Sequence, residues 1–175
     1  MPIPSAAALP PALLGVALAT WSPFAMSDSP ASRIGHFHLA APPARVLPLF
    51  TAEGERSWAL GWEPEQLSGD EQRGSVFRTR HGGRETTWVV TEYQPAEGRA
   101  SYARLAVGSN MGLVEVRCRA ADGGTEVSVR YTLTGLNAAG REEVRAFLEP
   151  AHYAAMMEEW RQATSAALVH DGDKR

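Results

Sequence analysis

Cysteine is nearly absent from the sequence, since Cys118 is the only one among 175 residues. A single thiol cannot form a disulfide within the chain, and the sequence also has no CxxC pair and no HExxH motif. These absences argue against a structural zinc cluster and against dithiol redox chemistry, and we expect neither a bound metal nor a cofactor. Cys118 alternates with charged residues in a strand-like run, which predicts a small core residue rather than a nucleophile.

An excess of basic charge is also lacking. The chain has 17 basic and 20 acidic residues, a formal net charge of -3, and no basic run with interleaved aromatic residues. This pattern gives no support for nucleic-acid binding, so we expect no nucleic-acid partner. The length and the apolar fraction of 44% indicate one globular domain with a sizeable core.

Residues 1–25 lack charged side chains altogether, whereas residues 26–175 contain all of them. The segment supports three interpretations: an extension or tail upstream of a true start at Met26, a secretory signal peptide without a basic beginning, or a membrane anchor. Three prolines interrupt its apolar run, so we expect no stable membrane insertion. We therefore predict an apolar N-terminal extension over 1–25, a single domain over 26–175, and a cytoplasmic protein, or an exported one if the extension is a signal peptide.

The rest of the chain has the pattern of an α+β domain. A strand with one wet face is predicted from Arg33, followed by a short helix after Pro43 and a second one capped by Thr51. Turn signals then separate runs that indicate an antiparallel meander. These strand-like runs cover residues 75–81, 84–93, 99–107, 111–120 and 125–136. A single long helix is predicted from about 138 to 168, bent at Pro150.

Alternation assigns the faces of two strands. Val114, Val116 and Cys118 alternate with charged residues, and the run ending in Tyr131 and Leu133 alternates with the polar residues Ser128, Arg130 and Thr132. One side of the sheet is therefore dry and the other is wet, and the long helix should cover the dry side. The face of the 99–107 run stays open, because Tyr102 and Leu105 compete for the interior.

The order of these elements, with four local motifs, resembles the helix-grip fold of the START/Bet v 1-like (SRPBCC) superfamily, in particular its bacterial polyketide cyclase/dehydrase-like members. The motifs are "APPARVLPLFTAEGERSWALGWEPE", "GSVFRT" with "TTWVVTEYQP", "GTEVSVRYTLTGL" and "AMMEEW". The resemblance implies a curved antiparallel sheet of about six or seven strands wrapped on a long C-terminal helix. It also implies a cavity between sheet and helix that holds an apolar small molecule.

Aromatic and thioether side chains are the candidates for such a cavity, because they offer large apolar surfaces. The predicted ligand-binding residues are Trp58, Trp62, Phe77, Trp88, Tyr131, Met156 and Trp160. Each has a competing interpretation as ordinary core. For Trp58 and Trp62 we predict a position at the boundary between core and pocket, and the Tyr131 hydroxyl needs a partner or a ligand if its ring is buried.

Acid–base chemistry has weak support. Glu92 with Tyr93, and His152 with Tyr153, are adjacent pairs, but neighbours on a strand or a helix point in different directions. Neither pair can converge on one substrate, and a solvated or capping role is favoured for His152. We therefore predict no catalytic residue.

Three functions remain possible. The first is binding of an apolar or aromatic small molecule or lipid without catalysis, by a monomer or homodimer. The second is a polyketide cyclase/dehydrase-like enzyme with an aromatic or polyketide-like substrate, and the third is a protein-interaction module. Ionisable groups with shifted pKa values in the cavity would favour the enzyme, and an apolar lining with one or two polar anchors would favour the carrier.

Overall fold

A computed structural model describes residues 29–172 and consists of one sheet, three helices and several 3-10 turns. The predictions for residues 1–25 lie outside these described residues. The strands are β1 (Ala31–Leu39), β2 (Glu65–Ser68), β3 (Val76–His81), β4 (Arg84–Gln94), β5 (Arg99–Ala106), β6 (Asn110–Ala121) and β7 (Gly124–Gly135). The helices are α1 (Pro43–Val46), α2 (Ala138–Phe147) and α3 (Pro150–Gly172).

The sheet is antiparallel at every pairing, with the strand order β1-β7-β6-β5-β4-β3-β2. Consecutive strands from β2 to β7 are neighbours, so the predicted meander is confirmed. The β3–β4 hairpin turns at Gly82 and Gly83, whose φ angles of 57° and 78° are left-handed at both central positions. Such a turn matches the twist of the strands and favours glycine.

β2 is the strand that the sequence pattern did not predict. It is four residues long, exposed throughout, and paired through a register shift with β3 at the edge of the sheet. A run this short shows no alternation of apolar residues, which is why its pattern resembles that of a loop.

The segment between β1 and β2 contains α1 and two 3-10 turns, Leu47–Phe50 and Gly54–Ser57. The sequence predicted Thr51 as the N-cap of the second turn, but that position is Glu53, which makes no side-chain capping hydrogen bond. Thr51 Oγ1 nevertheless accepts a hydrogen bond from the Gly54 amide (3.0 Å). The predicted second helix is thus a single 3-10 turn, and it ends before Trp58.

The prediction of one bent C-terminal helix was wrong, since α2 and α3 are separate helices. Pro150 has no N–H and disfavours helical geometry at Glu149, so it begins a new helix instead of bending one. The carboxylate of Glu149 accepts the His152 amide (2.8 Å), and hydrogen bonds from the His152 and Ala151 amides lower its pKa. The first turn of α3 is therefore capped where the chain leaves α2.

Helix α3 packs on the dry face of the sheet against β1. Gly35 permits this close approach, because a Cβ there would meet Met157 and would lie 2.9 Å from Cε1 of Tyr153. Along residues 29–172 no helix is long and apolar enough to cross a membrane.

The dry faces of β6 and β7 are those predicted, with Val114, Val116 and Cys118 buried in the core. Burial raises the pKa of the Cys118 thiol to about 12, which agrees with a core residue rather than a nucleophile. The open question of β5 is also answered, since Tyr102 is buried and Leu105 is exposed.

Candidate functional site

A cavity of about 390 Å³ lies between the sheet and α3. The inner faces of β3 to β7 form its floor, α3 and the end of α2 form one wall, and residues 50–62 form the other. The lining includes Leu60, Arg80 and His81, all of which are exposed, so the cavity opens to solvent between the turn that contains Leu60 and the β3–β4 hairpin. Its volume lies within the range of small-molecule sites.

All seven residues predicted to bind a ligand line this one cavity. Phe77, Trp88 and Tyr131 are buried on strands of the floor, whereas Trp58, Trp62, Met156 and Trp160 are half-buried along its walls. The structure thus brings them together, and direct contact with a ligand stays a prediction.

The two tryptophans of the short-helix segment lie at the edge of the core. The Trp58 indole N–H donates to the Leu49 carbonyl (2.6 Å), and that of Trp62 donates to the Ala52 carbonyl (2.8 Å). Because these donors are satisfied within the protein, the two indoles offer only their ring surfaces to the cavity.

The rings that line the cavity form two clusters. On the floor, Phe77 and Trp88 stack with centroids 5.8 Å apart and planes 2° from parallel, and Trp62 meets both edge-on. In the second cluster, Trp58 of the 50–62 wall lies 5.2 Å from Trp160 of α3, edge-on. The cavity is therefore bordered by flat aromatic surfaces, which suit another ring.

Arg104 is a charged residue within this aromatic lining. It lies on the inner face of β5, and its Cζ is 5.3 Å from the centroid of the Trp88 ring. Across residues 29–172 no carboxylate pairs with it and no group accepts from its buried Nε, while burial lowers the pKa of its guanidinium. Two other buried polar atoms lack partners, on Arg99 and Asn110, but neither residue lines the cavity.

Glu55 is the acidic group of the lining. Part of its side chain is accessible, but removal of its carboxyl from bulk water raises its pKa from 4.5 to about 8. Within the described chain this carboxyl has no hydrogen bond or ion pair, so nothing compensates for the loss of hydration. Glu55 is thus protonated for the most part at neutral pH.

The hydroxyl of Tyr131 lies within the electrostatic influence of both groups. Burial raises the pKa of this phenol, Arg104 lowers it and Glu55 raises it further. Between residues 29 and 172 no group, including Arg104 and Glu55, forms a hydrogen bond with the Tyr131 hydroxyl. The need for a partner or a ligand that the sequence indicated for Tyr131 is therefore not met by the protein itself.

Glu55 and Arg104 are the residues that sequence reasoning missed. The signal for Arg104 was present, because alternation places it on the same face as Tyr102 once the phase of β5 is known. Glu55 sits in a 3-10 turn of four residues, where no periodicity indicates which side chains point inward.

The other candidates behave as expected. Glu92 forms an ion pair with Arg99 (2.9 Å), and His152 is exposed, whereas the Tyr153 hydroxyl donates to the Val129 carbonyl (3.0 Å) inside the core. Neither adjacent pair enters the cavity together. Over the part of the chain that the structure covers, no cluster of three or more His, Cys, Asp or Glu side chains could hold a metal.

Comparison with known structures shows the same fold in several proteins. Ara h 8.0201 superposes with a TM-score of 0.62 at 15% identity, covering 80% of this chain and 99% of the other. A protein from Rhizobium leguminosarum superposes with a TM-score of 0.59 at 17% identity, covering 81% and 95%. DynU16, from the dynemicin biosynthetic locus, has a TM-score of 0.57 at 14% identity, covering 78% and 46%.

At these identities the likeness concerns the fold alone. No curated protein sequence matches the chain. The sequence profile of the family described as polyketide cyclase/dehydrase and lipid transport matches residues 35–165, which span β1 to α3 and every wall of the cavity. The chain therefore belongs to this family, within the START/Bet v 1-like superfamily whose helix-grip fold it has.

Proposed function

We propose that the protein binds an aromatic or otherwise apolar small molecule in the cavity between the sheet and α3. The observation that supports this function best is an open cavity whose lining includes two clusters of aromatic rings, one with Phe77 and Trp88 and one with Trp58 and Trp160. A packed core would close such a space, because an unfilled apolar cavity destabilises a protein.

The chemistry of the lining favours ring-shaped ligands over flexible chains. Rings prefer stacked or edge-on neighbours, and this lining presents both kinds of surface. The indole donors of Trp58, Trp62 and Trp88 are already satisfied, the last by Oγ1 of Thr79 (2.9 Å). Binding is therefore driven by burial of apolar area, with few polar groups left to fix orientation.

Titration with N-phenyl-1-naphthylamine, a neutral fused-ring probe whose fluorescence rises in apolar surroundings, tests this function on the full chain. We expect saturable binding that Val114→Phe abolishes, because the larger side chain enters the cavity from its floor. Met156→Trp should have the same effect from the helix side.

Thr132→Phe is the matched control, because it places the same ring on the outer face of β7. Thermal unfolding of each variant would show whether it folds. Equal binding by the wild-type protein and by folded cavity-filling variants would refute the proposal.

Catalysis is the second candidate, and Glu55 is the observation in its favour. A carboxyl with a pKa of about 8 can donate a proton near neutral pH, as elimination of water from a substrate requires. We place this candidate second because no hydrogen bond orients Glu55 and no base is paired with it in the described residues.

A direct assay uses 4-hydroxy-4-phenylbutan-2-one, which loses a C3 proton and its hydroxyl as water to give the conjugated enone. Formation of the enone by the wild-type protein, and its loss in Glu55→Gln, would establish catalysis. Equal background rates with both proteins, at probe concentrations that saturate the cavity, would leave binding as the function.

A further inference from the structure

We propose that the ligand has an anionic oxygen group, such as a carboxylate, attached to its aromatic body, and that Arg104 binds this group. The inference rests on the proposed function, because it specifies the class of ligand for the same cavity. It starts from a cation that the protein places among aromatic rings and leaves without a counterion.

The first step concerns what the protein itself offers to Arg104. Arg104 is half-buried, and its Nε has no contact with solvent. Arginines withdrawn from water are normally paired with carboxylates, because the guanidinium loses hydration. In the described structure Arg104 has only the face of the Trp88 ring, at 5.3 Å, and its Nε has no acceptor. A cation–π contact of this kind replaces only part of the lost hydration.

The second step concerns other carboxylates that could pair with Arg104 inside the cavity. Glu55 is the acidic residue of the lining, and no ion pair joins it to Arg104. Its raised pKa keeps it largely neutral at pH 7, so it neither cancels the charge of Arg104 nor repels an anion. The cavity therefore has a net positive charge near neutral pH.

The third step concerns position. Arg104 pairs across the strands with Trp88, which stacks on Phe77, so the cation and the stacked rings adjoin each other on the floor. A planar ligand that lies against these rings brings a substituent on its edge to the guanidinium. The fork of N–H donors on arginine matches the two oxygens of a carboxylate.

The test compares matched acid and amide probes by isothermal titration calorimetry at pH 7 with the full chain. The pairs are 2-naphthoate with 2-naphthamide, and anthracene-2-carboxylate with anthracene-2-carboxamide. We expect the acid of at least one pair to bind about 10- to 100-fold more tightly than its amide, since a hydrogen bond to a charged group contributes this much.

Arg104→Gln should remove this preference while the affinity for the amide changes less than about threefold. Arg104→Lys, which keeps the charge without the fork, should retain part of it. Arg130→Gln, with the same change of charge on the outer face of β7, should leave the preference intact. Arg80→Gln, at the exposed mouth, tests whether the anionic group binds there instead of at Arg104.

Five outcomes separate the two proposals. A preference for the acid that depends on Arg104 supports both. Equal binding of acid and amide, or a preference that survives Arg104→Gln, overturns the anionic ligand and leaves the cavity function standing. If Arg80→Gln abolishes the preference, the anionic group binds at the mouth of the cavity, and the inference that Arg104 binds it is overturned. If no member of either pair binds, aromatic binding in the cavity fails together with the inference.

Discussion

The interior between sheet and helix is packed on one side and open on the other. On the packed side, Tyr153 and Met157 of α3 are buried against β1, and the Tyr153 hydroxyl donates to the Val129 carbonyl. On the open side, Trp160 and Met156 of the same helix are half-buried along the cavity. One helix thus serves as a core element and as a cavity wall.

The two sides also differ in how their polar groups are satisfied. On the packed side Thr125 donates to the Ala41 carbonyl (2.6 Å), and Thr164 donates to the Trp160 carbonyl (2.6 Å). On the open side Arg104, Glu55 and the Tyr131 hydroxyl have no hydrogen-bond partner in the described chain. Among the described residues, the buried Nε of Arg99 and Oδ1 of Asn110 also lack partners outside the cavity. The cavity differs in that three unpaired polar groups share one open space, as is typical of a binding site.

The largest loss of stability is expected for a substitution on the packed side. Tyr153→Ala should lower the free energy of unfolding by about 3–5 kcal/mol, because it leaves a void where no solvent enters. Denaturant unfolding measures this effect. Tyr153→Phe, which removes only the hydroxyl, should cost about 1 kcal/mol. A loss below 1 kcal/mol for the alanine variant would mean that this side is not the close-packed one.

The corresponding change on the open side should cost less. Trp160→Ala removes a larger side chain, but Trp160 is half-buried beside a space that already exists. We expect a loss of about 1.5–2.5 kcal/mol, together with weaker binding of N-phenyl-1-naphthylamine. A loss equal to that of Tyr153→Ala, with binding unchanged, would contradict the difference between the two sides.

The carboxyl of Glu55, on the open side, should make stability depend on pH. Its pKa is about 8 in the folded protein and near 4.5 when unfolded, so between these values the folded state binds more protons. The contribution of Glu55 to stability therefore falls as the pH rises from about 4.5 to 8. Glu55→Gln should be more stable than the wild-type protein by about 1–2 kcal/mol at pH 8, and the difference should vanish near pH 4.

Stability curves at several pH values measure this difference. Glu158→Gln is a useful control, because Glu158 is on the solvent side of α3 and its pKa is lowered to about 2 by Arg161. The contribution of Glu158 to stability is present above about pH 4.5 and is lost as the pH falls toward 2. Glu158→Gln should therefore show no pH-dependent difference from the wild-type protein between about pH 4.5 and 8. A Glu55→Gln difference that is independent of pH would show that the carboxyl is well hydrated.

The smallest expected effect concerns Arg104. Arg104→Met should raise the free energy of unfolding by about 1 kcal/mol or less, because loss of the buried charge outweighs loss of the contact with Trp88. Thermal unfolding without ligand provides the measurement. A clear destabilisation would instead assign Arg104 a structural role in holding β5 against Trp88.

The sequence by itself determined the fold and part of the apolar lining. Alternation identified the dry faces of β6 and β7, and the resemblance to helix-grip proteins supplied the cavity to which seven predicted residues map. These features depend on local periods of two and 3.6 residues and on the order of elements, which are properties of the chain alone.

Only the tertiary structure decided which polar groups share that cavity. β5 has an apolar residue on each face, so its phase depends on pairing with β4 and on the Tyr102 hydroxyl, which donates to the Phe50 carbonyl (2.7 Å). That phase turns Arg104 inward. Glu55 lines the same cavity from a short 3-10 turn. Contacts with residues distant in sequence hold this turn in place. Whether a side chain has a partner depends on which other segments the fold brings next to it. The sequence alone therefore could not show that Arg104 and Glu55 lack partners.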